Sequence, residues 1–412
     1  MRPPPKYINL ALLALGFGVG QGSLFLANSY LYWTGHYLLV ADFGSANALV
    51  TLLAFVGDWG GASYLAAKAA APGASDESAE VGYTSLSAFR LGLAALYALA
   101  LAFVGRGDGG FLTAYLAAST PSLIANAVNP VGLLDGRGRS GPAGLLQALP
   151  WLSVAVALPF CASLDLRGAG LWLGALTSAA TALAVAAQVV IARIRIVPAR
   201  SGLTWRRVSR VAAQATPYMS TPLPGHLLYR GQIYLANAYL PAATVALFVY
   251  ARQIVGIGYQ ATGFYLRVDW RDFAEWLRRA QPPAMRVLYR SEAVRLAAAS
   301  MSGVVAVAAA VGPYRPDLAK VLGVYALAVV TLAASSTLQR VLLLTNRAHV
   351  NVVILATTSA LALVCGYVWI DVLSVYGLLA CELLCHVSQS CLMAAFLNRQ
   401  GGRKYVHAGA AS

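Results

Sequence analysis

The sequence predicts an all-α integral membrane protein. Twelve transmembrane helices are expected, in two parallel, pseudo-symmetric six-helix bundles with both termini cytoplasmic. Three observations lead there. Only 11% of the 412 residues are charged, and mean hydropathy is +0.65; a soluble domain carries about 25% charged residues, so the solvent for this chain is lipid. Its Lys and Arg collect in alternate gaps between the apolar runs. Finally, the chain repeats itself at half its length: LANSYL (Leu26 to Leu31) returns as LANAYL (Leu235 to Leu240), an offset of 209 residues (26 to 235). Leu133-Leu134 ahead of Arg137 is echoed by Leu343-Leu344 ahead of Arg347, an offset of 210 (137 to 347). Duplication of this kind marks transporters whose site lies between the halves.

A span needs about 20 mainly apolar residues. In order, the spans are read at 8–31, 40–66, 86–104, 111–134, 143–163, 168–191, 212–239, 242–266, 293–312, 318–338, 349–370 and 373–396. The bundles then occupy 1–199 and 200–412. Charge tests the count: with both termini inside, the cytoplasmic segments hold 24 of the 30 Lys and Arg, and the outer loops hold four, Arg106, Arg167, Arg315 and Lys320. A missed central span would scramble this positive-inside asymmetry, because every later loop would change sides.

The same asymmetry explains the net charge of +15 without nucleic acid. The five cysteines lie in apolar segments as small hydrophobes, implying neither disulfides nor a redox compartment. Met1 to Lys6 lead into span one with no small-residue cleavage site, so a retained signal-anchor is expected. The outer loops are too short to carry an enzyme site, and no Walker loop is present. The largest soluble piece is cytoplasmic. Within it Val268 to Ala280 places Trp270, Phe273, Ala274 and Leu277 on one face, an amphipathic interfacial helix that Pro282-Pro283 ends.

Two spans at matching places read as weak helices. Span one holds Gly16, Gly18, Gly20 and Gly22 on alternate positions, and span seven holds Pro217, Pro222 and Pro224. Weak helices at corresponding positions point to a transport site or hinge. Close packing would account for the glycines equally, but less easily for three prolines within eight residues.

Ionisable groups inside spans are costly and face a partner or a wet cavity. They are Asp58, His226, Arg230, Arg252, Glu382 and His386. Arg230 and Arg252, with His226 nearby, could line a cationic cavity, since the guanidinium fork suits phosphate oxygens; otherwise Arg252 pairs with Asp58 or reaches an interface. Glu382 and His386 are four apart and share a helix face. They could carry a proton, with Asp58 the next candidate, or form a structural hydrogen bond. Cys381, Cys385 and His386 have no matching second set of ligands, so neither metal nor cofactor is expected.

At this point the chain resembles the polysaccharide (O-antigen/exopolysaccharide) flippase family of the multidrug/oligosaccharidyl-lipid/polysaccharide (MOP) superfamily. The resemblance rests on the glycine-rich span one, on FVGDWGGASYLAAKAAA (Phe55 to Ala71), and on RGQIYLANAYLPAATVALFVYARQI (Arg230 to Ile254). The family usually shows Asp soon after the position of Arg230, whereas this chain has Gly231-Gln232. The resemblance implies a MATE-like pair of bundles around a cationic cavity, in the bacterial cytoplasmic (inner) membrane. It implies translocation of an undecaprenyl-diphosphate-linked oligosaccharide from inner to outer leaflet by alternating access. A lipid-linked oligosaccharide diphosphate and membrane lipid would be its partners, with polysaccharide polymerase and chain-length machinery downstream.

A MATE-like drug or cation antiporter is the nearest alternative, and would be expected to carry more intramembrane carboxylates. A major facilitator carrier also has two six-span halves. LLDGRGRSG (Leu133 to Gly141) resembles its loop motif superficially, but follows span four instead of span two.

The topology makes a direct prediction. In a cysteine-free background, Asp108→Cys should react with an impermeant thiol reagent in intact cells, and Trp205→Cys only after permeabilisation. The reverse pattern would overturn the arrangement.

Overall fold

The structure is a computed structural model that describes residues 6–69, 76–104, 110–194, 203–268, 283–345 and 347–401. All regular secondary structure among them is helical, and eleven helices are long and apolar enough to cross a membrane. The expected amphipathic segment at 268–280 falls almost wholly outside the described residues.

Two compact units divide the chain, Met1–Leu223 and Pro224–Ser412. The first contains α1 (Lys6–Trp33), α2 (Tyr37–Asp58), α3 (Gly61–Ala69), α4 (Asp76–Val104), α5 (Phe111–Ala127), α6 (Val131–Gly136), α7 (Ser140–Ala157), α8 (Leu166–Ala192) and α9 (Trp205–Ser220). The second contains α10 (Leu223–Tyr239), α11 (Ala242–Val268), α12 (Ala284–Arg290), α13 (Glu292–Val311), α14 (Pro316–Leu344), α15 (Ala348–Leu373) and α16 (Val375–Gly401).

Part of the packing is duplicated as the sequence is, although the pairing of α1 with α7 has no equally close counterpart among the described residues of the second unit. In the first unit α5 packs on α8, α7 on α8, α2 on α5 and α4 on α5. In the second, the counterparts α14 on α16, α15 on α16, α11 on α14 and α13 on α14 repeat those pairs. LANSYL closes α1 and LANAYL closes α10, while Arg137 and Arg347 each stand in the turn after a Leu-Leu helix end.

Span seven is where twelve expected spans become eleven. It is two helices, α9 of 16 residues and α10 of 17, each too short to cross alone. They part at Thr221-Pro222, where proline withholds the N–H that would continue the ladder. The Ser220 and Thr221 hydroxyls turn back onto the Pro217 carbonyl at 3.3 and 3.1 Å. Pro217 itself stays inside α9, and Pro224 inside α10.

Two more spans are interrupted. Span two breaks between α2 and α3, where Trp59 and Gly60 have φ of 49° and 68°. At Gly60 a Cβ would stand 2.5 Å from the Met219 nitrogen, so glycine admits both the turn and the approach of α9. Span four breaks between α5 and α6, at Val128 to Pro130.

Span one is a single unbroken helix of 28 residues, and two of its glycines serve packing on α7. A Cβ on Gly16 would lie 2.8 Å from the Gly144 oxygen and the Leu145 Cα, and one on Gly20 would lie 3.2 Å from Ala148, whereas Gly18 meets nothing within 4 Å. Small residues let helices approach closely where lipid supplies no hydrophobic drive. Gly16→Ala should therefore destabilise by about 1–3 kcal/mol, while Gly18→Ala should be neutral or stabilising, because alanine is the better helix former. Thermal unfolding of the purified protein in detergent checks the contrast, and equal effects would refute it.

Candidate functional site

The second unit is organised around Arg252 on α11, whose side chain is 1% exposed. An unpaired guanidinium there would be prohibitive, and its neighbours supply oxygen in every direction. It pairs with Glu382 of α16, donates from Nε to the Tyr325 hydroxyl of α14 at 2.6 Å, and donates to the Gln232 amide oxygen and the Tyr229 carbonyl of α10. The Tyr325 hydroxyl donates in turn to Glu382 at 2.9 Å, and Gln232 Nε2 donates to the Leu378 carbonyl at 3.0 Å. Aromatic faces close the remaining sides: the guanidinium carbon lies 4.2 Å from the Tyr229 ring centre and 4.5 Å from that of Phe248. One cation and one carboxylate, joined by these hydrogen bonds, make a neutral cluster linking α10, α11, α14 and α16.

Arg230 stands beside it in different circumstances. Its guanidinium lies 5.1 Å from the ring centre of Tyr229, the ring that Arg252 also stacks on. Its Nε is buried without a hydrogen-bond partner. Among the described residues no carboxylate forms an ion pair with it. His226 precedes it by four residues and so shares its face of α10. Cation and imidazole therefore sit together on a helix that begins at the Pro222 break.

In the first unit Asp58 pairs with Arg90 of α4, a side chain 1% exposed. Arg90 lies about four turns into α4, so it belongs inside the bundle and not with the cytoplasmic cations.

Neither a known family pattern nor a characterised relative matches the sequence. Solved structures do match. An inward-facing multidrug-resistance MATE transporter of the MOP superfamily superposes with a TM-score of 0.72 at 13% identity, covering 96% of this chain and 99% of that one. The lipid II flippase MurJ, in an inward closed conformation, matches at 0.64 and 10% identity over 94% and 86% of the two chains. A MOP transporter from Pyrococcus furiosus, with a binding pocket described as reversed in polarity, matches at 0.53 and 13% over 96% of each. This chain has the MOP transporter fold.

On that framework the sequence-derived residues separate as follows. Arg230 and His226 remain together on α10. Arg252 pairs with Glu382, not with Asp58, and is enclosed. Glu382 and His386 share a helix face but are not hydrogen-bonded to each other; His386 Nδ1 lies 3.3 Å from Gln389 Oε1, and Gln389 donates to Thr358 at 3.1 Å. Cys381 and Cys385 pack in an apolar cluster with Leu228 and Ala362.

Sequence reasoning missed Arg90, Tyr325 and Tyr229. Arg90 carried a signal, a basic residue inside a run read as a span. Tyr325 and Tyr229 carried none, because tyrosines are common in membrane helices.

Removing one partner from a buried pair leaves an uncompensated charge, typically at a cost of about 3–5 kcal/mol. Glu382→Gln should accordingly lower the Tm sharply, although glutamine keeps the shape. The double variant Arg252→Met/Glu382→Leu should recover most of the loss. A Glu382→Gln protein as stable as wild type would show that the pair carries little of the fold.

Proposed function

We propose that this chain is a transporter that moves an undecaprenyl-diphosphate-linked oligosaccharide from the inner to the outer leaflet of the bacterial cytoplasmic membrane by alternating access. Arg230, assisted by His226, meets the diphosphate. The observation that carries this reading is the balance of charge inside the spans. Arg90 and Arg252 have their own carboxylates, and Arg230 has none among the described residues. A lone guanidinium on a MOP framework is suited to an oxyanion, which its planar fork binds through two parallel hydrogen bonds. The polyprenyl tail stays in lipid, and the role includes no covalent step.

The same balance weighs against export of a cationic drug, to which the MATE resemblance would otherwise point. A cation needs a free carboxylate, and two of the carboxylates within the spans, Asp58 and Glu382, are held by arginines.

Proteoliposomes holding the purified protein and a fluorescent lipid-linked oligosaccharide diphosphate test the proposal, scored by how much lipid reaches the far leaflet. A charge-assisted hydrogen bond contributes about 1.5–3 kcal/mol, so Arg230→Ala should slow translocation about tenfold or more. Arg230→Lys should fall between, having the charge without the fork. Wild-type rates in Arg230→Ala, or drug-cation exchange with no movement of the lipid, would refute it.

A further inference from the structure

One side chain serves the interruptions of both span two and span four. At the first, the Ala62 N–H that would bond the Asp58 carbonyl in a continuous helix goes to the Asp58 side chain, Oδ2, at 3.0 Å. The main-chain carbonyl of Asp58 is left for Arg90, whose Nε donates to it at 2.9 Å. At the second, the Val131 N–H goes to the Asn129 side chain, Oδ1, at 2.9 Å. Again the main-chain carbonyl is left over, and Arg90 Nη1 reaches it at 3.4 Å. Arg90 Nη2 meets the Asp58 carboxylate. One residue earlier than Asn129, the Val128 carbonyl accepts from the Tyr83 hydroxyl of the same α4 at 2.6 Å.

Two freed carbonyls and a carboxylate thus converge on one buried point, which holds a positive charge. Carbonyl ends of broken membrane helices, joined by a carboxylate, are what transporters use to hold a small dissociable cation. Hard oxygen ligands of this kind suit an alkali or alkaline-earth ion. Here the site is closed to one, because the guanidinium fills it; even a Cβ on Gly61 would collide with the Arg90 fork.

We propose that Arg90 is a tethered cation: it occupies an ion site formed by the breaks in spans two and four, holds both breaks in register, and takes Asp58 out of ion coupling. Binding an attached cation costs no translational entropy, and the charge cannot dissociate during the cycle. Arg90 is therefore a positioning residue, and ion traffic, if the cycle has any, runs elsewhere. The inference rests on the first unit alone and is independent of the substrate.

The test is to vacate the site in the full-length protein. Arg90→Ala should lower the Tm, and millimolar guanidinium chloride or sodium chloride should raise the variant's Tm by about 2–4 °C relative to choline chloride at equal ionic strength. Wild type should show no such difference, and Arg90→Ala/Asp58→Asn should lose it. A merely structural strut would weaken the protein without making it ion-responsive, so an Arg90→Ala protein indifferent to the choice of cation overturns the proposal. Should that variant not accumulate, Arg90→Lys and Arg90→Met decide: lysine keeps the charge and methionine only bulk. Lysine should support accumulation and a higher Tm, and equal behaviour of the two, whether both present or both absent, overturns the proposal.

Discussion

A chain dissolved in lipid must satisfy its own backbone, because the surroundings offer no hydrogen bonds. A continuous helix does so automatically; each interruption frees donors and acceptors that need partners from inside the bundle. Among the described residues three spans are interrupted, and several of the buried polar side chains answer those interruptions. The Asp58 and Asn129 side chains take the N–H groups of α3 and α6, Arg90 takes the carbonyls left behind, and the Ser220 and Thr221 hydroxyls turn back at the third break. In the second unit Arg252 of α11 also reaches a main-chain carbonyl, that of Tyr229, but within the unbroken helix α10.

The two units repeat four of their helix pairings but not the placement of their charges. Arg90 comes from the third span of the first unit and finds its carboxylate on the second span. Arg252 comes from the second span of the other unit and finds its carboxylate on the sixth. A duplicated scaffold has therefore been equipped twice, differently. Packing of apolar and small residues can be inherited from one ancestral bundle because many sequences satisfy it. A buried cation cannot drift in that way, since losing either partner strands the other, and so each cluster evolves as a set.

That contrast also explains what could be read from the sequence. Span positions and helical architecture follow from hydropathy, which is additive along the chain, and the structure reproduces them apart from the division of span seven and the breaks within spans two and four. The prolines there were legible because proline acts locally. The glycines of span one were ambiguous, because glycine serves bending and close approach equally, and only the position of α7 separates Gly16 and Gly20 from Gly18. Side-chain partnerships were mostly illegible. The four-residue spacing of Glu382 and His386 establishes a shared face, yet the partner of Glu382 arrives from α11, 130 positions away in sequence. Arg90 was hidden by its nearness to the edge of a hydropathy window, which placed it with the cytoplasmic cations, although α4 extends well before it.

Residue 232 shows how finely the charge near Arg230 is set. The flippase pattern that the sequence resembles has an aspartate soon after the position of this arginine, and here Gln232 stands two residues on. Its amide oxygen accepts from Arg252 while its nitrogen donates to the Leu378 carbonyl, a double role a carboxylate could not fill, having no proton to give. A carboxylate there would also leave the Arg252 cluster with two negative charges against one positive. The surplus would fall on Arg230, across the Tyr229 ring that both guanidiniums share. With the neutral amide, Glu382 alone balances Arg252 and nothing in the cluster offsets Arg230. The positive charge on α10 thus survives because the residue two positions along is an amide.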